Sequence, residues 1–248
     1  MALIRVKSIR DIPRDKIYKV EATNKLYMQG DDRVLKLFLD CYQRLDNKLG
    51  RDIYETLEIL MSLDKEETSH LILPEDIYVS DKRLYGYATK YYKGTDLKYI
   101  SRKVRLMDLL RAYEELVKDF YVLAARKLMP NDVHMGNLLF NELLYMLDFD
   151  LFTIDSGIDS DKLYMRIAYQ VWQQILRTIL WYDKYDLYIT LNQLRISDFN
   201  LVALQYGIMD ITSSIEAFKK SLFTSLEVTD DVTLEEVDKV LRRRKNGY

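Results

Sequence analysis

Two stretches of this chain decide its fold: Asp132-Val-His-Met-Gly-Asn137, which runs on into Leu-Leu-Phe at residues 138–140, and Leu147-Asp-Phe-Asp150. The first stretch is a polar loop followed by a short apolar run. A second short apolar run, residues 144–147, leads into the second stretch. If the two apolar runs pair as a hairpin, the asparagine that ends the loop and the first aspartate of the second stretch come to lie side by side.

The side chains at these positions suit magnesium and phosphate chemistry. The amide oxygen of Asn137 and the carboxylate of Asp148 are hard oxygen ligands, which Mg²⁺ accepts together with phosphate oxygens and water. Asp132 would lie close enough to orient a hydroxyl group for attack on a phosphorus atom. Taken singly, Asp132 and Asn137 could equally close a loop through side-chain-to-backbone hydrogen bonds. Only the combination indicates phosphoryl transfer.

The residues around these stretches predict an α+β fold with two domains, 1–92 and 93–248. Alternating polar and apolar residues in the first third are typical of antiparallel strands. From Leu106, apolar residues recur every three or four positions, which predicts a long amphipathic helix that Pro130 stops. The predicted strands are 16–20, 25–29, 33–38, 76–79 and 83–91, and the predicted helices are roughly 52–63, 106–124, 163–180, 212–226 and 234–244.

Composition narrows the function classes. The chain has 248 residues with 37 basic and 39 acidic side chains, a net charge of −2 that argues against binding nucleic acid or an anionic membrane through overall charge. The single cysteine, Cys41, excludes an internal disulfide and fits a reducing compartment. The first residues are interrupted by charges and lack the apolar core of a secretory signal. We therefore expect a cytoplasmic protein with no membrane partner.

The two stretches resemble the catalytic loop and the metal-binding motif of protein kinases and of the aminoglycoside and choline phosphotransferases. The pattern D-x-H-x-G-N is closer to the phosphotransferases, and Leu-Asp-Phe-Asp resembles the Asp-Phe-Gly motif of the kinases, with Asp150 in place of the glycine. The resemblance implies a two-lobed kinase-like fold that binds ATP and Mg²⁺ between its lobes. It also implies that Asp132 is the base, that Asn137 and Asp148 hold Mg²⁺, and that Asp150 can bind a second metal.

The first domain carries further matches to these families. Arg-Val-Leu-Lys-Leu-Phe at residues 33–38 resembles the strand that carries the phosphate-contacting lysine, here Lys36. Glu55, on the helix that follows, is expected to pair with Lys36, although Glu58 competes for that role. His134 occupies a position that either braces the catalytic loop or approaches the phosphates.

Residues 89–97, Thr-Lys-Tyr-Tyr-Lys-Gly-Thr-Asp-Leu, resemble the hinge between kinase lobes. The match places Thr89 at the back of the adenine pocket and Asp96 near the ribose. The backbones of Lys90 and Tyr92 would then hydrogen-bond the adenine. The implied ligands are ATP and Mg²⁺, together with an unknown phosphoryl acceptor.

Three departures from the kinase pattern bear, in turn, on nucleotide affinity, on regulation by phosphorylation and on the acceptor. The turn at residues 21–24 has no glycine, whereas protein kinases cover the phosphates with a glycine-rich loop. Pro130-Asn131 replaces the usual His-Arg, so a phosphorylated activation loop would have no anchor. About ten residues separate Asp150 from the next helix, which leaves no platform for an extended peptide. The acceptor is therefore expected to be a small molecule or a specific folded protein.

Other functions fit the same residues. A pseudokinase-type module would bind nucleotide or dock a partner without transfer, and the glycine-free turn favours it. An ATP-dependent transferase could move AMP instead of a phosphoryl group, and an unrelated α+β structural protein is the remaining alternative. The leading prediction is an ATP- and Mg²⁺-dependent phosphotransferase.

Overall fold

The structure is a computed structural model that describes residues 1–21, 24–39, 53–63, 68–180, 211–226 and 229–245. Helices and strands both occur in these residues, which confirms the predicted mixed α+β class. Contacts divide the chain into two compact units. Unit 1 comprises Met1–Lys93 and Leu147–Ile154, and unit 2 comprises Gly94–Met146 and Asp155–Tyr248. The second acidic stretch therefore groups with the N-terminal residues, although the sequence-based division assigns it to the second domain.

Unit 1 is built on a six-stranded sheet in which β1 lies parallel to β5 and the other neighbours are antiparallel. The strand order is β1-β5-β6-β4-β3-β2. Every predicted strand has a counterpart, whereas β1 was not predicted. The strands are β1 Ala2–Arg5, β2 Ile17–Val20, β3 Asn24–Gln29, β4 Arg33–Phe38, β5 Pro74–Ser80 and β6 Arg83–Lys90, and helix α1, Ile53–Ser62, follows β4.

The two faces of β4 separate the core of this unit from its charged site. Side chains alternate between the faces of a strand. Leu35 and Leu37 belong to a buried apolar cluster with Ile12, Tyr85 and other residues. Lys36 lies between the two leucines in sequence and therefore points to the opposite face, where it is only 7% exposed. The alternation thus places one buried ammonium group on the face away from the apolar cluster.

Unit 2 contains four of the helices and a small three-stranded sheet of order β10-β9-β7. Tyr113 and Trp172, from the first two of these helices, stack with ring centroids 5.2 Å apart, and the Tyr113 hydroxyl donates to the carbonyl of Ala168 at 2.7 Å. The elements are β7 Thr95–Asp96, α2 Leu106–Ala125, β8 Leu128–Pro130, β9 Leu138–Asn141, β10 Leu143–Met146, α3 Ser160–Ile179, α4 Ile211–Leu226 and α5 Leu234–Lys245; the short strand β11, Phe152–Ile154, belongs to unit 1.

Helix α2 covers the predicted residues 106–124, but Pro130 is not what ends it. Its last residue is Ala125, and Lys127 adopts a left-handed backbone with φ 59°. The carbonyl of Lys127 accepts a hydrogen bond from Asp155 at 2.8 Å, and its ammonium donates to the Ile158 carbonyl at 2.9 Å. The left-handed residue and these contacts turn the chain before Pro130, which instead lies in β8.

Two features named in the sequence analysis lie wholly or partly outside the residues that the structure describes. Cys41 lies outside the described residues, and so do the middle residues of the turn 21–24. The helix predicted for residues 163–180 is α3. Among the residues that the structure describes, every helix is too short or too polar to cross a membrane.

Gly86 allows strands β4 and β6 to approach each other beside Lys36. Its φ is +152°, and an added Cβ would lie 1.9 Å from the backbone oxygen of Lys36. A side chain cannot be accommodated at that distance without moving one of the two strands. The pairing of β6 with β5 also shifts here, between the pairs Tyr78–Gly86 and Val79–Leu84. Gly86 is therefore a requirement of the backbone that carries Lys36.

We expect Gly86→Ala to destabilise the protein by more than about 2 kcal/mol, because both the backbone conformation and the contact with β4 exclude a methyl group. Urea unfolding measures the effect. Gly157→Ala is the matched control, since the nearest atom to its added Cβ would lie at 3.7 Å, an ordinary contact distance. Equal unfolding midpoints for the two variants would show that β6 has room for a side chain at residue 86.

Candidate functional site

The strongest candidate site in the described residues is a lysine held between two aspartates, all within unit 1. Strand β4 supplies Lys36, and the segment after β10 supplies Asp148 and Asp150. The Lys36 ammonium lies 2.6 Å from Oδ1 of Asp150 and also contacts Oδ1 of Asp148. Lys36 and Asp150 are buried, and the Asp148 side chain is 18% exposed. The structure therefore brings together three residues that the sequence singled out, across more than a hundred positions of chain.

The backbone of Asp148 is unusual. Its φ and ψ are 74° and 70°, the left-handed region that residues other than glycine rarely adopt. Such a conformation costs about 1–2 kcal/mol and persists where the surroundings impose it, often at functional sites. A 3₁₀ turn, Phe149–Leu151, follows directly. This sharp change of direction presents the carboxylates of residues 148 and 150 to the same ammonium group.

Two aromatic side chains complete the surroundings of Lys36. Its ammonium lies 5.9 Å from the ring centroid of Phe38 and 5.8 Å from that of Tyr87, within the range of cation–π attraction. The Tyr87 hydroxyl lies 3.1 Å from Oδ1 of Asp148 and 3.3 Å from Oδ1 of Asp150. Tyr87 was missed by sequence reasoning. Its place opposite Lys36 in the β4–β6 register depends on a strand pairing that the sequence does not specify.

Among the residues that the structure describes, the charges in contact at this site do not balance. One ammonium faces two carboxylates, and the tyrosine is neutral. Burial, the negative charge of Asp150 and a hydrogen bond with it together raise the pKa of Asp148 from 3.8 to about 7, against the opposite effect of Lys36. Burial alone would lower the pKa of Lys36, but the charges of Asp150 and Asp148 outweigh it and raise that pKa. Burial and the same two carboxylates raise the pKa of Tyr87 well above its usual value. The site therefore favours an additional positive charge, either a proton or a cation.

Glu55 does not make the predicted ion pair. It accepts a hydrogen bond from the backbone N–H of Ile154 at 3.0 Å, while the ion pairs of Lys36 within the described residues are with Asp148 and Asp150. The physical reason is that the two aspartates already surround the ammonium group. The neighbouring Thr56 hydroxyl lies 3.5 Å from the Asp150 carbonyl. Helix α1 is thus joined to the acidic segment through its backbone rather than to the lysine.

The polar loop of unit 2 is closed by its own side chains. Nδ1 of His134 accepts a hydrogen bond from the Gly136 N–H at 3.0 Å, so this nitrogen carries no proton. The Asn137 amide donates to the backbone carbonyl of Asp132 at 3.0 Å, and the Asn137 N–H donates to the His134 carbonyl at 3.0 Å. Nε2 of His134 lies 3.7 Å from Oδ2 of Asp132. In this structure His134 braces the loop, and the carboxylate of Asp132 is half exposed.

The predicted hairpin after this loop forms. Strands β9 and β10 pair with Leu138 opposite Met146. Asn137 therefore directly precedes one strand, and Asp148 follows the other by two residues. Asn137 belongs to unit 2 and Asp148 to unit 1, so a metal site shared by these two residues stays a prediction.

The predicted adenine-binding residues lie at the end of β6. Thr89 is half buried and pairs with Val34, and Lys90 is exposed with its ammonium 5.6 Å from the Tyr92 ring centroid. Asp96, predicted to approach the ribose, belongs to unit 2, where β7 pairs it with Leu139. The contact of these residues with a nucleotide stays a prediction.

A cavity of about 180 Å³ lies near this end of the sheet. Its lining includes Lys90 and Tyr92 together with Glu75 of β5 and residues 71–73. Strand β5 lies on one side of β6 and β4 on the other. The lining residues of the cavity do not include Lys36, Asp148 or Asp150.

The donor set fits a magnesium ion that takes part of its coordination shell from a ligand. In the part of the chain that the structure describes, no three histidine, cysteine, aspartate or glutamate side chains form a cluster suited to a metal. Mg²⁺ commonly binds to one or two carboxylates and completes its shell with phosphate oxygens and water. Asp148 and Asp150 meet that requirement. Neither the models of known protein families nor the curated proteins gave a match to this chain.

The unbalanced carboxylates predict how stability depends on pH. Between about pH 4 and 7 the folded metal-free protein holds a proton on Asp148 that the unfolded chain has released, because the folded pKa is the higher one. Stability from this group is therefore fully present below pH 4 and is lost as the pH rises through 7. Asp148→Asn removes the titration, so it should gain about 1–4 kcal/mol relative to wild type between pH 5 and pH 8.

Urea unfolding at several pH values in the presence of a chelator tests this expectation. Asp81→Asn serves as a control, because the Asp81 side chain is 88% exposed in its pair with Arg5. A constant difference between Asp148→Asn and wild type at every pH would contradict the unbalanced charge.

Proposed function

We propose that the protein is an ATP- and Mg²⁺-dependent phosphotransferase with a two-lobed kinase-like fold. The observation that carries the proposal is the buried contact of Lys36 with both Asp148 and Asp150, in which one ammonium group of the described residues meets two carboxylates. A buried excess of negative charge is costly unless a cation offsets it. Mg²⁺ bound to a nucleotide would supply that cation.

Lys36 has a second role in this proposal. The ammonium group of Lys36 has three hydrogen-bond donors. Its strand, β4, is paired on both sides, so the backbone can stay in place while a small change of side-chain rotamer moves the ammonium from a carboxylate oxygen to a phosphate oxygen. The lysine would then neutralise charge on the phosphates while the aspartates bind the metal. Phosphoryl transfer depends mainly on positioning and charge stabilisation of this kind.

The acceptor side of the reaction is assigned to the loop of unit 2. Asp132 would orient and deprotonate the acceptor hydroxyl, and Asn137 would provide a further metal ligand. Support comes from the bracing of this loop by His134 and Asn137, because a half-exposed carboxylate on a rigid loop can act as a base toward an incoming hydroxyl. The acceptor would be a small molecule or a specific folded protein, since only nine residues lie between Asp150 and the start of α3 at Ser160.

One observation favours a module that binds nucleotide without transferring phosphate. The turn at residues 21–24 is closed by a hydrogen bond from the Glu21 N–H to the Asn24 carbonyl at 3.0 Å. The Glu21 N–H is therefore already bonded and is not offered to a phosphate. Turnover, rather than binding, therefore separates this alternative from the phosphotransferase.

The metal assignment predicts a loss of nucleotide binding in Asp148→Ala. At about a hundred times its dissociation constant, Mg²⁺-ATP should stabilise the wild-type protein by about 2.7 kcal/mol, which raises Tm by about 5–10 °C. The shift should require Mg²⁺ and disappear in Asp148→Ala, but not in the exposed control Asp81→Ala. A wild-type protein whose Tm does not respond to millimolar ATP with Mg²⁺ would contradict the proposal.

The assignment of Asp132 as the base predicts a variant that binds nucleotide but does not transfer phosphate, in contrast to Asp148→Ala. Asp132→Asn should keep the Mg²⁺-ATP thermal shift and lose transfer by about 10²-fold or more, because the amide cannot accept the proton. Without a known acceptor, hydrolysis of ATP by water provides the assay, and mass spectrometry of the product as ADP or AMP identifies the transferred group. Weakened nucleotide binding with unchanged turnover per bound nucleotide would show that Asp132 is not the base.

A further inference from the structure

Tyr87 contacts both aspartates of the acidic site, yet neither the sequence motifs nor the proposed reaction assigns it a role. It lies on β6 directly opposite Lys36 of β4, and only 4% of its surface is exposed. A buried tyrosine hydroxyl normally finds a hydrogen-bond partner, and a backbone carbonyl would suffice. Here the partners are instead the two carboxylates that the proposed function assigns to the metal.

The geometry of these contacts is selective for one oxygen of each aspartate. The Tyr87 hydroxyl and the Lys36 ammonium both bind Oδ1 of Asp148, and both bind Oδ1 of Asp150. The second oxygen of Asp148, Oδ2, is engaged by neither donor. Tyr87 therefore restricts the rotation of the Asp148 carboxylate without contacting Oδ2.

The hydroxyl also differs from the lysine in charge. A second cation at this position would offset the negative charge that attracts Mg²⁺, whereas a neutral hydroxyl orients the carboxylates and leaves that charge in place. Its single proton can be donated to one carboxylate at a time. As the lysine turns towards a phosphate, the hydroxyl remains as a donor to the oxygen that the lysine leaves.

We propose that Tyr87 is a positioning residue that orients Asp148 and Asp150 for a divalent cation, a role that rests on the proposed function. Hydrogen bonds behind metal-binding carboxylates typically change metal affinity 10–100-fold when they are removed. A tyrosine that merely fills the core would affect folding but not the metal dependence of nucleotide binding.

Tyr87→Phe removes only the hydroxyl and keeps the ring that faces Lys36. We expect the Mg²⁺ concentration for half-maximal stabilisation by a non-hydrolysable ATP analogue to rise about 10–100-fold. The rate of ATP hydrolysis should recover to within a few-fold of wild type at saturating Mg²⁺, since the ligands themselves are unchanged.

Tyr85→Phe is the matched control. Tyr85 lies on the same strand and is equally buried, but it belongs to the apolar cluster on the face opposite Lys36. For Tyr85→Phe, the Mg²⁺ concentration that gives half-maximal stabilisation should equal that of wild type. A Tyr87→Phe midpoint equal to that of Tyr85→Phe would overturn the positioning role while the phosphotransferase proposal stands.

The two proposals fail in distinguishable ways. If wild type itself shows no Mg²⁺-dependent stabilisation by the ATP analogue, the proposed function is wrong and Tyr87 has no metal to position. If Tyr87→Phe does not fold, 3-fluorotyrosine at position 87 of the otherwise unchanged chain provides a second measurement. Its ¹⁹F signal should shift as Mg²⁺ is added with the analogue, and an unchanged signal at saturating Mg²⁺ would overturn the role.

Discussion

The contact of Lys36 with Asp148 and Asp150 is the interaction on which the rest of the site depends. Removing ions from water costs several kcal/mol each, and the mutual attraction of a buried pair repays this only when the geometry is favourable and the charges balance. In this site one ammonium is shared by two carboxylates, and the consequence is the elevated pKa of Asp148. Within the described residues two buried carboxylates share one ammonium group, which contributes little to stability, and the proposed function assigns these carboxylates to a cation.

Three local features of the backbone maintain this arrangement. Strand alternation turns Lys36 away from the apolar cluster that Leu35 and Leu37 enter. Gly86 lets β6 approach the backbone of Lys36 at a distance that a side chain would forbid. The left-handed conformation of Asp148 directs two carboxylates to one ammonium. Each feature carries a conformational cost or restriction, and the three meet within a few residues of the same charged group.

The sequence predicted the parts of this structure that depend on local pattern. Alternation located the strands that surround Lys36, and the spacing of apolar residues located α2. The motif resemblance singled out Lys36, Asp148 and Asp150, which the structure brings together. Strand β1 was missed because its four residues, Ala-Leu-Ile-Arg, show no alternation of polar and apolar side chains. The extent of α2 was predicted to within one residue, but the chain turns at a left-handed Lys127 before the expected stop at Pro130.

The contacts that individual side chains make were harder to predict than the helices and strands. The resemblance paired Glu55 with Lys36, but the periodicity of a helix does not specify which carboxylate contacts a given ammonium group. In the structure two aspartates from a distant segment contact Lys36, and Glu55 accepts a backbone hydrogen bond instead. Tyr87 was overlooked because its role arises from strand register. Its hydroxyl reaches the aspartates only because β6 pairs with β4 so that Tyr87 lies opposite Lys36. Long-range pairing of this kind has no local signal in the sequence.

The most direct test of the central claim is a crystal structure grown with Mn²⁺ and a non-hydrolysable ATP analogue, in which anomalous scattering locates the metal. The charge imbalance predicts a manganese peak within about 2–2.5 Å of a carboxylate oxygen of Asp148, with the Lys36 ammonium bound to a phosphate oxygen. Lys36 still held between Asp148 and Asp150, with no manganese beside them and the nucleotide bound elsewhere or absent, would contradict the claim.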